Sequence, residues 1–267
     1  MTIGIYRAAT KKYNTSFRKK VMSQKSAPTK NEIVENIQVR LDPMRAKVSL
    51  HWNDKRGSQA DFRRLLESAE SLIHPRALYK VASVARISDD EVTIDGVAFS
   101  SRVLSINLAK AKRVFPYIIT IGKSLESRAS ASGDLLQQYY LEALGDMALG
   151  TAEDYLSAQI KKQNGIKRLV SMSPGSLKDW PITQQKMLFS LFEDTENLIG
   201  VRLTEHMLML PRKSISGIYF SSKTEFRSCR ICPREKCEGR KAPFDEAFRE
   251  KYVLEVEEAC IEETSEY

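Results

Sequence analysis

Four cysteines hold the most concentrated chemistry of this chain. Cys229, Cys232 and Cys237 fall within nine residues at C-x2-C-x4-C spacing, and Cys260 follows after a further 22 residues. A two-residue gap can place two thiolates on one metal ion, a near third fills another position, and Cys260 can return as a fourth ligand. Four soft donors suit zinc and an iron–sulfur cluster alike. Pro233, directly after Cys232, repeats a dipeptide of cluster-binding ferredoxin runs. Free structural thiols are the competing reading. A secreted, disulfide-stapled protein spreads its cysteines around the fold, so gathered cysteines point to metal and to the cytoplasm. Arg230, Arg234, Lys236, Arg240 and Lys241 surround the motif. They either offset thiolate charge or form a solvated basic loop.

The other reactive residues are less concentrated. His51, His74 and His206 form no His-x-x-His or His-Glu-x-x-His pair, which argues against a hydrolytic zinc centre. Ser173-Pro174-Gly175-Ser176 forms a turn ahead of Trp180-Pro181. Backbone N–H groups in such a turn can hold a small anionic or zwitterionic group, and a tight structural turn is the alternative. No Gly-rich phosphate loop, Walker sequence or Rossmann fingerprint is present.

The elements that must position these residues are legible from periodicity. Ile37 to Leu41 alternates like a strand, and residues 59–72 carry helical spacing. Ile87 to Ser100 reads as a hairpin turning at Asp95-Gly96, Val103 to Ala111 as a short helix and Tyr117 to Ile121 as a buried strand. A long helix is predicted from about Asp134 to Lys162, stopped at Asn164-Gly165. Gly145, Ala148, Gly150 and Ala152 thin its wall for close packing. A second helix is predicted from Pro181 to about Phe192. Leu203 to Ser221 reads as two extended segments joined at Pro211, and Gly217 leaves room there for another backbone or a ligand. An acidic amphipathic helix is expected near 244–264. Strands and helices mix without regular βαβ alternation, so the expected class is α+β, with helices around a twisted, mainly antiparallel sheet.

Charge divides the chain. Residues 1–30 hold eight basic side chains and no acid, whereas the remainder balances 34 Lys and Arg against 34 Asp and Glu. The +8 net charge therefore belongs to a Ser-, Thr- and Lys-rich tail without a sustained apolar run. Such a tail suits an acidic partner, nucleic acid, an organellar address or plain solubility. A neutral body without a nucleic-acid motif argues against nucleic acid as the main partner. No apolar run of membrane-spanning length and no signal-peptide core occurs. The expected organisation is a basic tail over 1–30, an α+β domain over 31–225, and a cysteine-rich segment with a terminal helix over 226–267.

The stretch Leu203 to Ser221 resembles the C-terminal activation domain of cobalamin-dependent methionine synthase. The family pattern L-T-E-x-x-x-M-x-P-x-x-S-V-S-G-x-Y-F-S is matched by Leu203, Thr204, Glu205, Met209, Pro211, Ser214, Ser216, Gly217, Tyr219, Phe220 and Ser221. The Pro174-Gly175 turn and a long helix, through Ala143, Leu144, Asp146, Tyr155 and Leu156, occur in the same order. The resemblance covers roughly residues 80–225, and the cysteine extension resembles that of small stand-alone relatives. It implies a protein that binds S-adenosylmethionine (AdoMet) and presents it to the inactive cob(II)alamin of a corrinoid-binding protein or cobalamin-dependent methyltransferase. One electron from a flavoprotein, or from a 4Fe–4S cluster at the cysteines, then allows the cobalt to be reduced and methylated. The alternative is a non-catalytic docking scaffold fastened by zinc. By resemblance the cofactor-binding residues are Ser173, Pro174, Gly175, Ser176, Glu205 and Tyr219; no catalytic residue is implied, because the cobalt chemistry belongs to the cofactor. The family's AdoMet turn is R-x-x-x-G-Y, and here Ser171 and Ser176 stand at its Arg and Tyr positions. A family acidic residue on the long helix falls near Gly150, with Asp146 and Glu153 the closest carboxylates. Arg168 and Lys178 are the cations placed to compensate for the missing Arg.

Overall fold

The computed structural model describes residues 30–253 apart from 54, 56, 87, 223–225, 238 and 239, with side chains left undescribed at 86 and 251–253. Among the described residues, ten strands and eight α-helices follow one another. They are β1 (Glu32–Val34), α1 (Pro43–Ser49), α2 (Gln59–Ser71), β2 (Arg76–Tyr79), β3 (Ala82–Arg86), β4 (Glu91–Ile94), β5 (Val97–Ser100), α3 (Arg102–Leu108), β6 (Arg113–Thr120), α4 (Ser124–Ser130), α5 (Leu135–Asn164), β7 (Leu169–Met172), α6 (Gln185–Phe189), α7 (Thr195–Ile199), β8 (Arg202–Leu203), β9 (Met209–Leu210), β10 (Ser214–Ser221) and α8 (Glu246–Val253). No helix among the described residues is long and apolar enough to cross a membrane.

β6 organises the main sheet. Along one edge it pairs with β10; along the other it pairs first with β3 and then with β2. β7 extends the sheet beyond β10, β1 beyond β2, and the β4–β5 hairpin beyond β3, with every pairing antiparallel. The expected α+β class and antiparallel sheet are therefore what the chain forms. The alternation of β6 explains its central place. Val114 and Ile118 point into a core with Leu78, Phe99, Trp180 and Phe220, while Phe115, Tyr117 and Ile119 point into a second core beneath Ala152, Leu156 and Ile160 of α5. A strand buried on both faces reads as a nearly unbroken apolar run, and the sequence exposes only part of it as Tyr117 to Ile121.

Local chemistry sets the helix ends. Ser58 and Asp61 form a reciprocal capping box that starts α2. Asp134 caps α5 through the Leu136 N–H, and Gly165, at φ 62°, ends it in the left-handed conformation. Asp179 accepts from the N–H groups of Arg102 and Val103 and from the Ser101 hydroxyl, so the loop after the Ser173 turn caps α3. Of the small residues on α5, Gly145, Ala148 and Ala152 are buried. A side chain at Gly150 would meet nothing within 4 Å, so that glycine serves no close approach.

Three expected elements differ. Ile37 and Leu41 are buried as alternation demands, but the segment pairs with no strand, and the Leu41 N–H donates instead to Glu70 Oε1 (2.8 Å). The helix expected from Pro181 to Phe192 is a 3-10 turn over Ile182–Gln184 followed by the short α6. The first half of Leu203–Ser221 is not one strand. Residues 204–208 fold back, with Met207 at φ 64°, so that β8 and β9 make a two-residue ladder of their own. The terminal helix expected over 244–264 begins at Glu246 and is described to Val253 as α8; residues 254–264 lie outside the described residues, as do residues 1–29.

Candidate functional site

The second half of that stretch, β10, carries the architecture of the site. Gly217 lies opposite Tyr117 in the register, and the missing side chain lets the Tyr117 ring swing diagonally over Tyr219. The two rings stack with centroids 4.0 Å apart and planes 15° off parallel. From the other side the β7 end closes in. A Cβ on Gly217 would stand 2.6 Å from the Met172 carbonyl oxygen, 2.7 Å from Ser173 Oγ and 2.9 Å from the Tyr117 hydroxyl. The gap foreseen at Gly217 is thus filled by backbone, a serine and a tyrosine.

A cavity of about 620 Å³ opens beside this junction. α5 supplies Glu153, Asp154, Ser157 and Lys161 to its wall, β7 and the following turn supply Ser171, Ser173 and Ser176, and β10 supplies Ile215 and Tyr219. The loop before β7 adds Lys167 and Arg168. The cysteine segment completes the wall with Phe226, Arg227, Ser228, Cys229 and Lys241. Glu153, with a side chain only 15% exposed, meets Lys241 Nζ at 3.3 Å, so an ion pair ties the cysteine segment to α5. The Tyr219 hydroxyl donates to the Glu153 carbonyl oxygen over 3.4 Å. Burial raises the Tyr219 pKa far above its usual value, reinforced by Tyr117, Glu153 and Asp154 nearby. Burial likewise raises Tyr117, and the Glu153 charge adds to it, while the Ser171, Ser173 and Tyr219 hydroxyls pull the other way. Both phenols stay neutral and offer apolar surface; Tyr219 is a donor, whereas the buried Tyr117 hydroxyl meets no hydrogen-bond acceptor among the described residues.

The sequence-predicted residues sort clearly. Ser173, Ser176 and Tyr219 reach the cavity; Pro174 and Gly175 do not line it. Gly175, at φ 82°, builds the turn, but its N–H donates to the Trp180 carbonyl (2.7 Å) and the Ser176 N–H donates to the Ser173 carbonyl (3.1 Å). These two amides are spent internally, and the Ser176 hydroxyl also donates to the Ser173 carbonyl (2.6 Å), so the Ser176 oxygen meets the cavity as an acceptor. Glu205 stands apart on the β8–β9 turn, largely exposed and beside His206. Of the two candidate carboxylates, Glu153 lines the cavity, whereas Asp146 is held by Lys213 at 2.7 Å. Arg168 lines it and Lys178 does not. Tyr117 reads in the sequence only as the start of a buried strand, not as a site residue; the signal for the site is an aromatic residue in the strand that lies opposite Gly217.

Cys229 lines the cavity, and its Sγ accepts from the Lys241 N–H over 3.4 Å. Arg240 braces the loop by donating to the carbonyls of Cys229, Cys232, Arg234 and Ala242. Phe226 and Ile231 are buried in the main core. Cys229 and Cys232 are half-buried and Cys237 is exposed. Among the described residues no group of three His, Cys, Asp or Glu side chains is placed to hold a metal ion, so the C-x2-C-x4-C spacing is not drawn together here. Cys260 lies outside the described residues.

Residues 173–237 match the family model described as vitamin B12 dependent methionine synthase, activation domain. Among solved structures, the MetH reactivation domain bound to AdoHcy aligns with a TM-score of 0.52 and 18% identity, covering 76% of this chain and 82% of that one. This is the activation-domain fold. No curated protein matches the chain. The activation-domain match begins two residues beyond Ser171, where the family's Arg is missing, and continues through Cys237. It thus runs further into the cysteine segment than the sequence resemblance, which ended near residue 225.

Proposed function

We propose that this protein reactivates a corrinoid protein by presenting AdoMet to its cob(II)alamin. The reading rests chiefly on one observation: residues of the family-matched segment, Ser173, Ser176 and Tyr219, converge with Glu153 on one cavity. That cavity suits a ligand carrying both signs of charge. Glu153 and Asp154 favour a sulfonium or ammonium, the lysines and Arg168 favour a carboxylate, and the serines offer neutral hydrogen bonds. The reaction needs one electron from an external donor such as a flavoprotein. That electron takes cob(II)alamin to cob(I)alamin, whose cobalt attacks the methyl carbon of AdoMet; a Co–C bond forms as the C–S bond breaks, giving methylcob(III)alamin and AdoHcy, which keeps the C–S electron pair. The protein's part is to hold the sulfonium end near Glu153, exclude water with the Tyr117–Tyr219 stack and dock the partner's corrinoid.

Calorimetric titration tests the reading. The protein should bind AdoMet more tightly than AdoHcy, since only the former carries the sulfonium charge. Glu153→Gln should weaken AdoMet by about 10-fold or more while changing AdoHcy little, as expected for a hydrogen bond or contact to a charged group. No heat with AdoMet at millimolar concentration would instead favour a docking scaffold.

A second outcome follows from the position of Cys229. Saturating AdoMet should slow iodoacetamide alkylation of Cys229 and leave exposed Cys237 unchanged, as followed by peptide mass spectrometry. Equal rates with and without AdoMet would place the ligand elsewhere.

A further inference from the structure

A second cavity, of about 690 Å³, lies on the other side of the Lys167–Arg168 loop. Its walls come from the start of β6 (Arg113, Phe115), the turn after α5 (Asn164 to Arg168) and the end of β10 (Ser221, Ser222). The walls are fastened to one another: the Ile166 N–H donates to the Lys161 carbonyl (2.9 Å) and the Ser222 N–H to that of Arg168 (3.5 Å). The left-handed Gly165 makes the sharp exit from α5 that leaves the space open.

Three cations line this cavity and no carboxylate does. All three residues are exposed, and several cations elsewhere in the chain meet carboxylates. Lys80 pairs with Asp95, Lys213 with Glu142 and Asp146, Arg230 with Asp245, and Lys241 with Glu153. Arg113 has only a cation–π contact with Phe115, at 5.8 Å, and neither Arg113 nor Lys167 pairs with a carboxylate among the described residues. Clustered like charges repel, and an anion carrying more than one charge relieves that repulsion while accepting from both guanidinium and ammonium donors. The exposed Ser221 hydroxyl adds a neutral donor at the rim. A bounded concavity of this size fits a discrete ligand better than a polymer backbone, which needs an extended track.

We propose that this cavity is a binding site for the phosphate or pyrophosphate group of a small phosphorylated molecule. It is separate from the AdoMet reading and does not depend on it. Because Lys167 and Arg168 belong to both walls, occupancy here also alters the charge felt in the first cavity.

Inorganic pyrophosphate is the probe, titrated calorimetrically into the full chain at about 0.15 M salt, where surface attraction is screened beyond roughly 8 Å. Saturable binding is expected, with amide shifts in the NMR spectrum at Gly165 and Ser221. The double variant Arg113→Ala/Lys167→Ala should bind at least about 10-fold more weakly. Its melting temperature without ligand should be unchanged or raised, which separates a lost site from a lost fold. The proposal is overturned if pyrophosphate gives no saturable signal or if the double variant binds it equally well. It is also overturned if a single-stranded oligonucleotide competes through a steeply salt-dependent interaction, since the surface is then a polyanion track. AdoMet titration of Arg113→Ala alone keeps the two sites distinguishable, because Arg113 lines only this cavity whereas Lys167 lines both.

Discussion

Gly217→Ala should destabilise the protein and empty the candidate AdoMet site. Alanine in the middle of a strand ordinarily gains about 0.5–1 kcal/mol over glycine. Here the added carbon would lie 2.6 Å from the Met172 carbonyl oxygen. That oxygen belongs to backbone held by the β7–β10 ladder, in which Met172 faces Ile218. Relief requires β7 to move away, taking Ser171, Ser173 and the Ser176 turn with it, or the Tyr117 ring to leave Tyr219. Overpacking of this kind costs about 1–3 kcal/mol. For a domain of this size that lowers the melting temperature by about 2–4 °C per kcal/mol. Gly150→Ala is the matched control, because its added carbon meets nothing within 4 Å. In the helix interior it should gain about 1 kcal/mol. Chemical denaturation and AdoMet titration of both variants check the pair. If both alanines stabilise equally, the close approach at Gly217 is not real.

Gly217 also marks what a sequence can and cannot disclose. Its isolation within an apolar strand announced a close approach, but the partners come from β6 and β7, 100 and 45 residues upstream, and register with them is not written locally. The long helix α5 was readable because its spacing, its Asp134 cap and its Gly165 stop agree. The segment 204–208 was misread because alternation of apolar residues there survives in a turn with a left-handed Met207. Glu153 could be named only as one of two carboxylates near the right turn of α5. What singled it out is height along the helix, since residues seven apart share a face about two turns, or roughly 10 Å, apart: Asp146 reaches Lys213, while Glu153 reaches the cavity. Lys241 and Cys229 fell into separate categories, a basic loop and a metal motif. Folding joins them as one wall through a thiol acceptor and an ion pair.

Lys80→Met should cost about 3–5 kcal/mol, the loss typical when one partner of a buried ion pair is removed. Lys80, just after β2, has a side chain only 8% exposed, and Nζ lies 2.8 Å from Asp95 Oδ2, whose side chain is 13% exposed. Nζ also donates to the Leu191 carbonyl at 3.2 Å, tying the β4–β5 turn to the segment after α6. Asp95 Oδ1 accepts from the Ser83 N–H at 2.7 Å and the Ser83 hydroxyl at 3.0 Å. Burial pushes the Asp95 carboxyl up, but the Lys80 hydrogen bond and charge, with the Ser83 donors, hold it below the usual carboxylate range. A depressed folded pKa gives stabilisation that is complete above the unfolded value, about pH 4, and is lost as pH falls through the folded value. Removing Lys80 takes away the charge and hydrogen bond that lower the Asp95 pKa, so that pKa rises relative to the wild type, and the variant should lose less stability than the wild type as pH is lowered from 7 through the carboxylate range. Adding Asp95→Asn should recover part of the loss and flatten that slope, so a double-mutant cycle isolates the pair. Urea denaturation across pH measures both effects. A loss below about 1 kcal/mol with a wild-type pH slope would mean that the pair is hydrated and structurally dispensable. Leu191 sits two residues beyond α6, and Gln185 at the start of α6 donates to Ser216 Oγ at 3.1 Å. Loosening the pair therefore withdraws support from the back of β10, and AdoMet affinity should fall with stability even though Lys80 never meets the cavity.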